Sequence, residues 1–160
     1  MTVATDAAAQ SFVLLPLGSR RIAFLAESVI ELVAPGKVQT FPHGTPWISG
    51  VLVRRNRVVP VCDVSELFGE NASAASRFYL IAEWEDHGAH DWCAIPVCGE
   101  CELASASLET VQPEDSAAEH PFFVTGAISV ERERIEVIDL SKLIQRRGLR
   151  SGKPVVELAP

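Results

Sequence analysis

The sequence predicts a mainly β protein built from two copies of one small unit. Three observations lead to this fold class. Short runs of strand-forming residues follow one another closely, turn signals separate several of them, and a segment of the first half recurs in the second. Many short strands joined by hairpins, with little helix, favour small barrels or a β-sandwich. The 160 residues, 48% of them hydrophobic, are enough for one compact domain or two very small lobes.

The predicted strands are apolar runs rich in β-branched and aromatic residues. Tight turns are expected at 18–21 and at the basic tip 54–57, where Asn56 tolerates the left-handed conformation that a two-residue turn requires. The strand candidates are residues 12–17, 22–25, 48–53, 58–62, 78–82, 92–97, 124–130 and 135–138.

Helix is predicted only in short pieces. Residues 26–33 change to a helical period that places Leu25, Val29, Leu32 and Val33 on one face, and Pro35-Gly36 ends the segment. Residues 65–68 and 141–147 each precede a glycine and are also predicted to be helical. An aspartate lies shortly before each of these two pieces, so Asp63 and Asp139 are expected to cap them.

The internal repeat relates residues 46–68 to residues 121–144. In this alignment Gly50 matches Gly126 and Asp63 matches Asp139. Earlier in each half, residues 12–15 resemble 78–81, and residues 23–32 resemble 94–103 with Glu31 over Glu102. A unit of this size buries little core by itself, so the two units are expected to share an apolar seam, with a groove between them for a partner.

Charge and hydropathy exclude several functions. The 21 acidic residues outnumber the 14 basic ones. This argues against nucleic-acid binding, because most of the affinity for nucleic acids comes from Lys and Arg side chains that neutralise phosphates. No run approaches the ~20 apolar residues that a membrane-spanning helix needs. The first ten residues lack the basic and apolar regions of a signal peptide, so a cytoplasmic protein is expected.

Residues 46–64 resemble the signature of CheW-like chemotaxis coupling proteins, in which a proline and an aromatic residue precede Gly-Val, a strand ending in Leu-Arg-Gly and a Val-Pro-Val-Ile-Asp-Leu segment. Residues 125–127 and 137–140 resemble the closing segment of that family, and residues 12–32 resemble its first hairpin. The resemblance covers about residues 11–148. The motifs occur in the family's order, which makes their combination specific.

The resemblance implies a fold and a role. It implies one domain over residues 11–148, made of two SH3-like five-stranded β-barrel lobes around a shared hydrophobic core, with short helices. Lobe 1 is expected at about 11–69 and lobe 2 at about 77–148, with flexible tails at 1–10 and 151–160. Such proteins are non-enzymatic adaptors without a cofactor. They link chemoreceptor cytoplasmic tips, which lie in the groove between the lobes, to the regulatory domain of a CheA-type histidine kinase.

The same resemblance suggests a partner-binding face on lobe 1. Arg55 falls at the arginine of the Leu-Arg-Gly motif and Glu31 at an acidic position of the family, so these two side chains are expected to pair. A screened surface pair without functional weight is the alternative. Asn56 replaces the glycine of the motif and Arg54 replaces an apolar residue. Trp47 is either part of the core or an exposed anchor for a receptor helix.

A second hypothesis is a cysteine-based metal-binding or redox protein on a β-barrel scaffold. Cys98 and Cys101 have the two-residue spacing of redox and zinc motifs, and Cys93, His87 and His90 lie just before them. However, these cysteines follow a predicted strand instead of opening a helix, and free cysteines are often small buried hydrophobes. Motifs for phosphate binding or a nucleophilic serine are not visible, so an enzyme is the weaker interpretation.

Overall fold

The computed structural model describes residues 8–34, 48–64, 78–110 and 123–146, and these residues form two curled β-sheets. Their eleven strands are β1 Gln10–Leu17, β2 Arg20–Leu25, β3 Val29–Val33, β4 Ile48–Arg54, β5 Arg57–Cys62, β6 Phe78–Asp86, β7 Ala89–Val97, β8 Glu102–Ala106, β9 Glu109–Thr110, β10 Val124–Val130 and β11 Glu133–Ile138. A 3-10 helix spans Ala26–Ser28, and the helix α1 spans Leu140–Arg146. The predicted mainly β fold is therefore confirmed.

Each sheet combines strands from both halves of the chain. Sheet A has the order β8-β1-β2-β11-β10-β9, and sheet B has the order β3-β6-β7-β5-β4. The first hairpin, β1–β2, thus lies among C-terminal strands, and β6–β7 lies among strands of the first half. The two halves of the chain therefore exchange their first hairpins. The lobe bounds 11–69 and 77–148 stay a prediction.

The internal repeat is visible in the pairing of the strands. The two halves join through parallel pairs at equivalent positions, Val61 with Ala94 in sheet B and Val137 with Ala23 in sheet A. The strands β4 and β10 also carry an irregularity at the same place, just before Gly50 and Gly126. At Gly126 a side chain would collide with the carbonyl of Glu109 on β9, so this strand requires a glycine for close backbone approach.

The predicted helix over residues 26–33 is wrong. Only Ala26–Ser28 form a 3-10 helix, and Val29–Val33 form the strand β3, which pairs with β6. Ile30 and Val33 pack against the interior of sheet B, whereas Leu32 is exposed. Three of the five β3 residues are β-branched and fit a pleated sheet well, and pairing with β6 prevailed over the helical period.

The other predicted helices have different outcomes. The prediction over residues 141–147 is confirmed by α1, and the backbone N–H of Lys142 donates to Asp139 Oδ1 at 3.1 Å, as expected of an N-cap. The prediction over residues 65–68 lies outside the described residues. In the part of the chain that the structure describes, no helix is long and apolar enough to cross a membrane.

Three apolar clusters form the core. The largest joins both sheets and α1, with members such as Leu15, Ile22, Leu80, Ile95 and Leu143, and it is the shared seam that the repeat predicts. Smaller clusters fill the interior of each sheet, around Phe12 and Ile128 in sheet A and around Val59 and Ile81 in sheet B. The shared cluster fixes the two sheets against one another.

Candidate partner-binding face

The hairpin β4–β5 carries most of the predicted site residues. Its turn consists of Arg55 and Asn56, whose φ angles are 54° and 63°. Two successive residues with positive φ make the primed turn that suits a two-residue hairpin. The expected turn role of Asn56 is therefore seen in the structure.

Glu31 on β3 binds both arginines at this tip. Arg55 Nη2 lies 3.3 Å from Glu31 Oε1, so the expected pair is present. Arg54 is the closer partner, with Nε 2.7 Å from Oε2 and Nη2 2.9 Å from Oε1. This bidentate geometry is stronger than a single hydrogen bond between a guanidinium and a carboxylate. The sequence reasoning named Arg54 only as an added charge and did not anticipate that it would be the main partner.

These contacts also close sheet B. The strands β3 and β4 are the two edges of the sheet, and the Glu31–Arg54 pair brings the edges together at one end. A five-stranded sheet whose edges meet is a small barrel, and the hairpin tip lies at its mouth. The hydrogen bonds from Arg54, with attraction to Arg54 and Arg55, lower the pKa of the Glu31 carboxyl below its usual value, although burial opposes this.

Two residues beside the tip form a second arrangement that the sequence did not reveal. The guanidinium carbon of Arg57 lies 3.9 Å from the centre of the Trp92 ring, within the range of a cation–π contact. Arg57 Nη2 also lies 3.5 Å from Asp91 Oδ1. Arg57 and Arg54 are direct cross-strand partners, so both arrangements share one end of the barrel. Trp92 is far from the tip in sequence and comes close to Arg57 only because β5 and β7 are neighbours in sheet B.

The outer face of the same hairpin is apolar. Val53 and Val58 are cross-strand partners, and they are 68% and 65% exposed. Val51 and Pro60, the next pair on this face, are half-buried. Because successive strand residues point to opposite faces, these side chains point away from Arg54 and Arg57. Adjacent exposed apolar side chains are a common feature of protein-binding surfaces.

The remaining predicted sites have limited support. Trp47 lies outside the described residues. Cys62 and Cys93 are buried, Cys98 and Cys101 are half-buried, and burial raises the pKa of both Cys62 and Cys101. Within residues 8–34, 48–64, 78–110 and 123–146, no group of three or more His, Cys, Asp and Glu side chains is placed to hold a metal ion. The described residues therefore give no observation that favours the cysteine-based hypothesis.

A small cavity lies between the two sheets. Its volume is about 130 Å³, and its walls include Leu25 and Val137 of sheet A, Glu83 of sheet B and Ser141 of α1. Ligand pockets for small molecules usually measure ~300 Å³ or more. The volume of this cavity lies below that range.

Comparison with known proteins identifies the family. The family model of the CheW-like domain matches residues 11–148. The chain belongs to the CheW-like domain family. Members of this family act as scaffold proteins of chemotaxis. No curated protein matches the chain in sequence.

A solved structure has the same fold. The scaffolding protein TtCheW from Thermoanaerobacter tengcongensis superposes with a TM-score of 0.74 at 20% sequence identity, over 92% of this chain and 97% of TtCheW. The two-lobed architecture implied by the resemblance is thereby confirmed. At 20% identity the similarity concerns the fold.

Proposed function

We propose that the chain is a cytoplasmic adaptor that couples chemoreceptor tips to the regulatory domain of a CheA-type histidine kinase, recruited to membrane-associated receptor arrays. Membership of the CheW-like family supports the adaptor role. The exposed Val53–Val58 pair carries the proposal for this chain in particular, because it offers apolar area for burial by a partner. Coupling requires two partners held at once, and the receptor tip would occupy the groove between the lobes.

The outer face of the β4–β5 hairpin is the proposed kinase contact. Val53 and Val58 contribute the apolar centre, with half-buried Val51 and Pro60 beside them. Arg55 and Asn56 at the tip, together with Glu31, form the polar edge of this contact. An apolar centre with a polar rim is the usual composition of an interface between soluble proteins. Trp47 remains a predicted contact residue.

The test is titration calorimetry against the regulatory domain of a CheA-type kinase from the same genome. We expect saturable binding that is micromolar or tighter by the wild-type chain. The double variant Val53→Thr and Val58→Thr keeps the β-branched shape but makes the face polar, and should bind about tenfold more weakly. The matched control is Arg134→Thr, because Arg134 lies on the equivalent outer face of sheet A, opposite Ser129.

Three outcomes separate the alternatives. Loss of binding only in the valine variant supports the proposed face. Equal losses in both variants contradict the face but leave the adaptor role intact. No binding of the wild-type chain to the kinase domain or to a receptor fragment, together with one bound zinc per chain on the same sample, would overturn the adaptor proposal in favour of the cysteine-based one.

A further inference from the structure

The mouth of the sheet B barrel is cationic on a protein that is acidic overall. We define the cationic mouth as Glu31, Arg54, Arg55, Arg57, Asp91 and Trp92. Three guanidiniums share two carboxylates there, whereas the whole chain has a formal net charge of −7. The mouth therefore differs in sign from the net charge of the chain, and a difference of this kind affects which partners approach it.

The cations of the mouth are more exposed than their partners. The side chains of Arg54 and Arg55 are 42% and 61% exposed, whereas Glu31 is only 16% exposed. Arg57 is 41% exposed and Asp91 is 30% exposed. Glu31 is thus more covered than its two arginines, and the exposed part of this group is mainly guanidinium.

Trp92 holds one of these guanidiniums in a fixed plane. Stacking on the indole covers one flat face of Arg57 and leaves the N–H groups at its edges directed sideways. Asp91 receives one edge at 3.5 Å, a distance that is long for a hydrogen bond. A planar guanidinium whose orientation is already set loses less side-chain entropy when it binds a carboxylate.

We propose that the cationic mouth is a docking site for a carboxylate-rich segment of a protein partner, with Arg57 as its specificity-determining residue and Trp92 as the positioning residue. The charge of the mouth selects an acidic segment, since a basic one would face three cations. Arg57 lies on the opposite face of the hairpin from Val53 and Val58, whereas Arg55 and Glu31 at the tip belong to both surfaces. The partner's identity rests on the proposed adaptor function, whereas the chemistry of the site does not.

The first test uses an oligoglutamate peptide at low salt and the full chain labelled with ¹⁵N. We expect saturable shifts of the Trp92 indole N–H, assigned with Trp92→Phe, and of arginine Nε–H signals. Binding should weaken severalfold between ~0.01 M and ~0.15 M ionic strength, because the screening length falls from ~30 Å to ~8 Å. The protein repels a polyanion on average, so attraction at this place is informative.

Variants of the chain test which residues bind the oligoglutamate peptide. Arg57→Gln leaves a shorter polar side chain without the charge and should weaken binding about fivefold. Arg57→Lys should be intermediate, because it keeps the charge but not the planar fork. Trp92→Leu should lose affinity and also broaden the Arg57 signal, an effect that mere loss of packing would not produce. Arg134→Gln, an exposed arginine paired with Glu109 in sheet A, should bind as the wild type does.

Several results would overturn the inference. These are shifts outside the mouth, equal shifts with an oligolysine peptide, or unchanged binding by Arg57→Gln. The same variants are then titrated with the kinase regulatory domain and with a receptor-tip fragment. If the inference holds, Arg57→Gln weakens one of the two. If the peptide binds the mouth but neither protein binds the wild-type chain, the adaptor proposal fails and the inference stands.

Discussion

At equivalent positions, the two sheets join neighbouring strands through contacts between different residue types. In the internal repeat, Arg57 corresponds to Glu133 and Trp92 corresponds to Arg21. Sheet B has the cation–π contact of Arg57 with Trp92, whereas sheet A has an ion pair between Arg21 and Glu133 at the same place. Each contact joins the second hairpin of one repeat unit to a strand of the hairpin exchanged from the other unit. The fold therefore requires a contact here but does not dictate its chemistry.

The outer faces of the two hairpins differ in the same way. Val53 and Val58 are paired on β4–β5, and their equivalents on β10–β11 are the paired residues Ser129 and Arg134. All four are exposed, so neither set is needed for the core. These positions share a backbone but not a chemistry, so the fold alone does not determine their side chains. We attribute the apolar face and the cationic mouth of sheet B to its partners.

The largest expected effect comes from a charge inside the sheet B barrel. Val61 is completely buried, and Val61→Asp should destabilise the chain by about 3 kcal/mol or more, because the carboxylate would lack a partner there. Urea denaturation measures the loss. Val53→Asp is the matched control on the same hairpin, and it should fold normally because its side chain points to solvent. If both variants unfold equally, the assignment of inner and outer faces is wrong.

A smaller effect should distinguish the Arg57–Trp92 contact of sheet B from the Arg21–Glu133 ion pair of sheet A. Trp92→Ala removes apolar packing as well as the contact with Arg57, and should cost about 2 kcal/mol. Glu133→Ala removes only exposed ion-pair contacts at the equivalent position and should cost about 0.5 kcal/mol. Chemical denaturation of both variants at low and high salt checks this, and salt should reduce only the Glu133 effect. Equal losses would mean that the ion pair is as important to stability as the aromatic contact.

Charge reversal at the tip should affect binding much more than stability. Arg55→Glu removes the more distant and more exposed of the two Glu31 partners, while the Arg54 pair remains. We expect the melting temperature to change little and affinity for the kinase regulatory domain to fall about tenfold. Calorimetry and thermal denaturation on one sample check both. Glu131→Arg, the equivalent reversal on β10–β11, should leave binding intact, and unaltered binding by Arg55→Glu would contradict the assignment of the sheet B face.

The smallest expected effect is a dependence of stability on pH. Pairing lowers the pKa of Glu31 in the folded chain, so its stabilising contribution is complete above the pKa of the unfolded state, near 4.5. The contribution disappears as the pH falls through the lower folded-state value, because the protonated carboxyl no longer attracts Arg54. Urea denaturation gives the free energy of unfolding at pH 6 and at pH 3. This free energy should fall less between the two pH values for Glu31→Gln than for the wild type. If the stability lost between pH 6 and pH 3 were the same in both proteins, Glu31 would not contribute to the loss of stability in acid.

Sequence reasoning reached the elements that depend on local pattern. Alternating apolar runs indicated most strands, and Asn56 and Asp139 were correctly interpreted as turn and cap residues, because each acts on backbone within three positions. It failed over Val29–Val33, where a helical period lost to pairing with β6, and it did not predict β8 or β9. Those strands are short and hold few strand-forming residues, so their conformation depends on the neighbouring strand.

The sequence alone determined the family, the mainly β fold, the duplicated unit and the pairing of Glu31 with the tip. All of these depend on residue types at fixed spacings along the chain. Only the tertiary structure decided that the halves exchange hairpins, that Arg54 is the main partner of Glu31, and that Arg57 lies on Trp92. The physical reason is that these contacts depend on which strands become neighbours in a sheet. Which strands become neighbours depends on burial of the whole apolar seam, and this cannot be predicted from any local segment of the sequence.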